Sequence, residues 1–144
     1  MHVSDEVYDL LAGGATAAKA GFPDAEAHAL VDAYLTGMSV KVCMCGDHSA
    51  ELKRMQEVDE VWLFCFRNVG NNQWRLMGRF STVDCFVGLR AYRRGDLSGR
   101  RKYTAAGKDF IKEWDRVFCG ASPIKRSHWN DYLTGPVQDV DDEL

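Results

Sequence analysis

The stretch EVWLFCFRNVGNNQWRLMGRF, residues 60–80, decides the fold. Its first part, VWLFCF at 61–66, is almost continuously apolar and aromatic, which is typical of a strand covered on both faces. Gly70 and the asparagines around it suit a turn. After the turn, every second residue from Trp74 to Phe80 is apolar or glycine, the period of a half-buried strand. The sequence therefore predicts a β-hairpin at this place.

Two helices and a strand are predicted before the hairpin. Ser4 is a suitable N-cap for a first helix with acids in its first turn, and alanine-rich sequence restarts a helix after Gly13 and Gly14. Pro23 and Asp24 open a second helix, and Gly37 ends it. The segment SVKVCMC, residues 39–45, then alternates as a half-buried strand does.

Helices dominate the prediction after the hairpin. Ser81 followed by Asp84 has the form of a capping box, which predicts a helix reaching Arg90. The strongest amphipathic pattern begins near Thr104, and a short helix is predicted over residues 127–133. HSAELKRMQ, upstream of the hairpin at 48–56, is predicted as a short helix or a loop.

These elements predict a fold of the α+β class. The expected architecture is a small antiparallel sheet of about three strands with helices packed on one face, in the order ααβ(α)ββααα. Residues 1–136 are predicted to form a single domain. Residues 137–144 are predicted to be an acidic, disordered tail.

The bulk composition narrows the class of protein. The chain has 144 residues, a formal net charge of −3 and 46% hydrophobic residues, which suits one domain with a core of its own. No apolar run reaches about 18 residues, and the N-terminus lacks the pattern of a signal peptide. Five cysteines at irregular spacing predict reduced thiols. We therefore expect a cytoplasmic protein without a membrane partner.

A basic stretch, LRAYRRGDLSGRRKYTAAGK at residues 89–108, stands out in this acidic chain. Its arginines and lysines suit phosphate groups, and tyrosines at its two ends suit stacking on bases. The stretch therefore predicts a contact surface for an anion or a nucleic acid. The alternative is a solvated loop, or one paired with the chain's own carboxylates. The candidate residues are Arg90, Tyr92, Arg93, Arg94, Arg100, Arg101, Lys102 and Tyr103.

A second candidate is the short segment CMCGDH at residues 43–48. Cys43, Cys45 and His48 are residue types that bind zinc, and a CxC spacing on a strand places both thiols on one face. The local sequence supplies no fourth ligand, so these residues are weak metal candidates. The alternative is that the thiols are small core side chains.

The aromatic residues around the hairpin are the third candidate. Trp62, Phe64 and Phe66 share one face of the predicted strand. They predict a filled aromatic core, and the alternative is a sheet face left open as a ligand pocket or a homodimer interface.

Taken together, the sequence predicts a small binding or interaction protein that forms a homodimer and contacts an anion or nucleic acid at residues 90–103. No catalytic residue, metal or cofactor is predicted, because no concentrated set of ionisable side chains marks an active site. One alternative is a small enzyme with dispersed catalytic residues, such as a ribonuclease-like toxin. Another is a protein that binds a small apolar ligand on the aromatic sheet face.

Overall fold

The computed structural model describes residues 1–44, 49–67 and 72–139 of the chain. The strands are β1 (His2–Val3), β2 (Val40–Cys43), β3 (Leu52–Arg54), β4 (Trp62–Phe66), β5 (Trp74–Thr82), β6 (Cys85–Arg93) and β7 (Val137–Asp139). The α-helices are α1 (Asp5–Leu11), α2 (Ala15–Ala20), α3 (Asp24–Thr36) and α4 (Arg100–Phe118), and short 3-10 helices lie at Arg94–Leu97 and Trp129–Asp131.

One sheet of seven strands organises the molecule, in the order β1-β6-β5-β4-β3-β2-β7. Its centre, from β3 to β6, is antiparallel. Both flanks are parallel: β1 pairs with β6, and β2 pairs with β3 and β7. The hairpin predicted over residues 60–80 is confirmed, because Trp62 lies opposite Gly78 and Phe66 opposite Trp74.

The predicted fold class is wrong. The sheet is mixed and has seven strands rather than about three, and helices cover both of its faces. The added strands include β1, β3 and β7, which have only two or three residues each. Such short segments hold too few side chains to show an alternating pattern. Residues 137–139, predicted to lie in the tail, form the edge strand β7.

The segment after Ser81 is also corrected. It is not a helix, because β5 turns directly into β6 and the two strands pair along almost their whole length. Asp84 adopts a left-handed backbone conformation with φ of 60°, which aspartate tolerates at a tight turn. The spacing of Ser81 and Asp84 therefore serves a hairpin turn and not a helix cap.

The helices before the sheet follow their local signals. Ser4 caps α1, and its side-chain oxygen accepts a hydrogen bond from Val7 N. Gly37 ends α3 in the left-handed conformation, with φ of 70°. Because these caps depend on nearby residues alone, the sequence predicted both helices correctly.

The sheet separates two hydrophobic cores. The core under α1, α2 and α3 is largely aromatic, and its fully buried rings include Trp62, Phe64, Phe66, Phe80, Phe86 and Tyr132. Most of these rings meet another ring edge to face, as Trp62 does with Phe80 at 5.3 Å between centroids. The aromatic face of the sheet is therefore filled by the protein's own helices and loops.

The core under α4 is mainly aliphatic, with two fully buried aromatic rings, and it also holds charge. Leu63, Met77, Phe110 and Trp114 are fully buried there. Two β5 arginines on the same face, Arg75 and Arg79, are 3% and 5% exposed, and the Nε of each has no hydrogen-bond partner. Burial lowers the pKa of Arg79 below its ordinary value. No carboxylate pairs with either guanidinium within the ranges that the structure describes.

Among the described helices, none is both long and apolar enough to cross a membrane.

Candidate anion-binding surface

The basic stretch, residues 89–108, spans the second half of β6, the 3-10 helix Arg94–Leu97 and the first turns of α4. The chain therefore leaves a strand, and not a helix as predicted, before it enters α4. Side chains on a strand alternate between the two faces of a sheet. The stretch is consequently divided between the two sides of the molecule.

Arg93 lies on the side of the aromatic core. Its Nη2 donates a hydrogen bond to the carbonyl of Ala20 at 2.6 Å, at the end of α2. Its guanidinium also lies 5.8 Å from the ring centroid of Trp74, within reach of a cation–π interaction. Arg93 therefore ties the end of α2 to the sheet and points away from the α4 side.

Arg90 and the two tyrosines lie on the α4 side. Arg90 Nη2 is 3.6 Å from Glu113 Oε2 on α4. Tyr92 and Tyr103 are half-buried and pack against the α4 core. Burial raises the pKa of Tyr92, although the nearby charge of Arg90 opposes this shift. Because these two rings already contact the core, the structure does not present them as open stacking platforms.

The first turn of α4 gathers the remaining cations. Arg100, Arg101 and Lys102 are exposed, and no acidic residue shares this turn. Gly99 precedes them and provides no side-chain cap for the backbone N–H groups at the helix start. Uncapped N–H groups together with lysine and arginine side chains match the needs of a phosphate oxygen.

This arrangement costs the helix stability when nothing is bound. A cation near a helix N-terminus opposes the helix dipole by about 0.3–1 kcal/mol. Arg100 has one ionic neighbour in the part of the chain that the structure describes, with its Nε 3.6 Å from Glu57 Oε1, and its side chain is 83% exposed. Exposed pairs of this kind contribute little. A bound anion would relieve the cost that the three cations impose.

Four exposed cations on this side have no carboxylate partner among the residues that the structure describes; they are Arg94, Arg101, Lys102 and Lys108. We call these four residues the basic patch. Residues 89–118 contain nine lysines and arginines against four acids. The patch is therefore the unpaired part of a cationic layer.

The opposite layer has the reverse charge. Residues 1–37 contain one lysine and six exposed carboxylates, which are Asp5, Glu6, Asp9, Asp24, Glu26 and Asp32. The sheet thus lies between an acidic layer of three helices and a basic layer formed around α4. A polyanion would be attracted to one side and repelled from the other, which would orient the protein upon it.

A polar cleft beside α4 was not predicted from the sequence. Its cavity has a volume of about 370 Å³, and its lining includes Arg54, Glu57, Asp59, Glu60 and Lys125. Lys125 Nζ lies 2.5 Å from Asp59 Oδ1. Because Glu57 also contacts Arg100 on α4, the cleft adjoins the first turn of that helix.

Glu60 is the buried acid of this cleft. Its side chain is 3% exposed, and Oε1 lies 3.5 Å from Arg54 Nη1. The Tyr132 hydroxyl donates a hydrogen bond to Glu60 Oε2 at 2.6 Å. Burial, and then this hydrogen bond, raise the pKa of Tyr132 to about 12. Glu60 also has a left-handed φ of 53°, a strained conformation for a residue with a side chain.

No local pattern identifies this cluster. Tyr132 is 72 residues from Glu60 in the chain, and the two meet only because the segment after α4 returns across the end of β4. One feature of the sequence does point to Glu60. It directly precedes the buried residues 61–66, and an acid at such a position needs a hydrogen-bonding or ionic partner.

The structure describes one of the three predicted metal candidates. Cys43 is fully buried at the end of β2, whereas Cys45 and His48 lie outside the described residues. Within those residues, no group of three or more His, Cys, Asp or Glu side chains is placed to hold a metal ion.

Comparison of the chain with protein-family models, with curated proteins and with solved structures finds no match.

Proposed function

We propose that this protein binds a phosphate-bearing polyanion, with nucleic acid as the partner, through the basic patch on its α4 layer. The observation that supports the proposal is that Arg94, Arg101, Lys102 and Lys108 are exposed and lack carboxylate partners in the described structure. Three neighbouring cations have internal partners: Arg90 pairs with Glu113, Arg93 donates to the Ala20 carbonyl, and Arg100 lies near Glu57. Of the predicted surface at residues 90–103, Arg94, Arg101 and Lys102 therefore support the proposal, and Lys108 extends the patch beyond it.

The expected recognition is of the phosphate backbone and not of the bases. Arg101 and Lys102 lie in the exposed first turn of α4, whereas Tyr92 and Tyr103 are engaged with the core. Contacts to phosphates carry no sequence information and weaken as salt rises. The proposed binding is therefore salt-dependent and has little base preference.

The test is binding of labelled single-stranded RNA and DNA across a salt series. The variant Arg94→Ala/Arg101→Ala/Lys102→Ala removes three positive charges from the patch. The control Lys19→Ala/Lys41→Ala/Arg67→Ala removes three from other elements. In the patch variant, the slope of log affinity against log salt concentration should fall by about two to three. In the control variant this slope should fall by less than about one. Equal losses in both variants, or no binding at low salt, would contradict the proposal.

A ribonuclease is the second candidate, supported by the polar cleft with its buried, strained Glu60. Incubation with labelled RNA and separation of the products on a denaturing gel is the measurement. If the cleft is an active site, Glu60→Gln should abolish cleavage and leave RNA binding unchanged. Intact RNA after incubation with the native protein would exclude this candidate.

The homodimer predicted from the sequence stays a prediction. Helices cover both faces of the sheet, so a dimer would use another surface than the aromatic sheet face. Sedimentation equilibrium over a range of protein concentrations measures it directly.

A further inference from the structure

A second concave surface, in addition to the polar cleft, lies beside the acidic layer and away from the basic patch. Its cavity has a volume of about 250 Å³ and lies among the C-terminal end of α3, the β5–β6 turn and residues 133–137. The apolar part of its lining includes Met1, Leu35, Met38, Pro136 and Val137. We call these five residues with their cavity the apolar groove.

Exposed apolar side chains concentrate at this groove. Within the described structure, five large hydrophobic side chains are exposed, and Leu35 and Met38 are 57% and 65% exposed. Val83, 41% exposed, is a third and directly precedes Asp84 of the cavity lining. Single exposed apolar residues are normal, but a cluster around a cavity is typical of an interaction site.

Hydrogen bonds hold the floor of the groove in place. The Tyr34 hydroxyl donates to the carbonyl of Asp84 at 2.6 Å and accepts from Phe86 N at 3.3 Å. The Asp84 carboxylate accepts from Thr134 N at 2.8 Å and also from the Thr134 hydroxyl. These contacts join α3, the hairpin turn and the segment before β7. The cavity is therefore preformed, which lowers the entropic cost of filling it.

The charge around the groove is acidic. Asp84 lines the cavity, and Asp32 lies one helical turn before Leu35 on α3. Asp131, two residues before the lining residue Leu133, is exposed as well. Among the described residues, no lysine, arginine or histidine lines the cavity. Two copies joined symmetrically here would place these acids against each other, which is unfavourable.

We propose that the apolar groove is the docking site for a cationic amphipathic segment of another protein. An apolar side chain of that segment enters the cavity, and lysine or arginine side chains beside it meet Asp32 and Asp131. This proposal does not depend on the basic patch, because the groove belongs to the acidic layer. The protein would then carry one surface for a polyanion and another for a basic protein.

The test uses two synthetic amphipathic helices of about 15 residues, one built from leucine and lysine and the other from leucine and glutamate. Affinities are measured by fluorescence anisotropy at physiological salt. The lysine peptide should bind at least about tenfold more tightly than the glutamate peptide. The variant Leu35→Ser/Met38→Ser should weaken lysine-peptide binding by about tenfold or more. Asp32→Asn/Asp131→Asn should weaken it less and reduce its salt dependence.

The control variant Tyr8→Ser/Val117→Ser removes two exposed apolar side chains, 62% and 43% exposed, that lie away from the groove. It should bind the lysine peptide as the native protein does. Equal binding by Leu35→Ser/Met38→Ser and the control would overturn the proposal, as would equal affinity for the two peptides. Self-association that is lost in Leu35→Ser/Met38→Ser would also overturn it, because the occupant would then be a second copy of this chain.

Discussion

The two helical layers that cover the sheet are built differently. Under α1, α2 and α3 the core is aromatic, with rings such as Phe64 and Phe86 meeting at 4.8 Å between centroids. Under α4 the core is mainly aliphatic and encloses the guanidinium groups of Arg75 and Arg79. The outer surfaces differ too, since the first layer is acidic and the second is basic.

The two sides also differ in how their residues contribute to stability. Aromatic burial on the first side is a large and uniform source of stability. The α4 side instead contains buried charge that has no ionic partner within the described ranges, and cations crowded at a helix N-terminus; stability alone does not favour either feature. Local departures from the most stable choice are expected at functional surfaces. The basic patch lies on the side where such departures occur.

The aromatic core should be the most sensitive part of the molecule. Trp62→Ala should lower the free energy of unfolding by about 3–5 kcal/mol, because the ring is fully buried and contacts Phe80 and Tyr132. Denaturant-induced unfolding measures the change. Tyr8→Ala, at a residue 62% exposed on α1, should change it by less than about 0.5 kcal/mol. Similar losses in the two variants would remove the contrast between core and surface.

Tyr132→Phe tests the hydrogen bond that links the aromatic core to Glu60 in the polar cleft. Loss of the hydroxyl that donates to Glu60 should cost about 1–3 kcal/mol at neutral pH. The folded pKa of Tyr132 is raised to about 12, so this tyrosine ionises first in the unfolded chain. Its contribution is complete below pH 10 and is lost as pH rises from 10 to 12.

Unfolding measurements across that alkaline range separate the two effects. The native protein should lose stability more steeply than Tyr132→Phe between pH 10 and 12. Burial also raises the pKa of Tyr34, and its share of the decline remains in both proteins. Parallel curves for the two would show that the Tyr132 hydroxyl ionises as readily in the folded state as in the unfolded chain.

The buried charge under α4 should be dispensable for stability. Arg79→Met should change the free energy of unfolding by less than about 1 kcal/mol, because an apolar side chain of similar length replaces a desolvated guanidinium. The Arg79 contacts to the Asp59 carbonyl and the Trp114 ring are lost in exchange. Met77→Ala on the same strand should cost about 2–5 kcal/mol. A loss above about 2 kcal/mol for Arg79→Met would show that the guanidinium itself stabilises this core.

The smallest effect should have the opposite sign. Lys102→Glu places an acid in the first turn of α4, where the helix dipole favours it, and should raise the free energy of unfolding by about 0.3–1 kcal/mol. The same variant should weaken RNA binding. Lys102→Gln is the control that removes the cation and adds no acid. If Lys102→Glu is no more stable than Lys102→Gln, the first turn is not electrostatically strained.

Sequence reasoning succeeded where structure depends on near neighbours. The hairpin β4–β5 follows from the apolar run at 61–66, and the end of α3 follows from Gly37. It failed at β6, because the Ser81 and Asp84 spacing suits a helix cap as well as a turn and only the left-handed φ of Asp84 separates the two. Fewer strands were therefore predicted than the sheet contains.

The candidate surface shows the same limit. The excess of cations over residues 89–118 is visible in the sequence, but their division between two faces depends on β6 being a strand. Arg93 was predicted beside Arg94, yet it reaches back to Ala20. The cleft was missed because Arg54, Glu60 and Tyr132 come from separate segments. Long-range pairing of this kind leaves no periodic signal.

The pairing of the sheet also implies an order of assembly. Strands β4, β5 and β6 follow one another within residues 62–93, so few residues separate them and their pairing has a low entropic cost. The two border strands pair with residues that are distant in sequence. Beside β1, the Ser4 hydroxyl donates a hydrogen bond to the Leu89 carbonyl, 85 residues away. At the other border, β7 pairs with β2. The central meander can therefore form before either border. Amide hydrogens should therefore exchange slowest in β5 and fastest in β1 and β7, because the sheet opens from its two edges towards its middle.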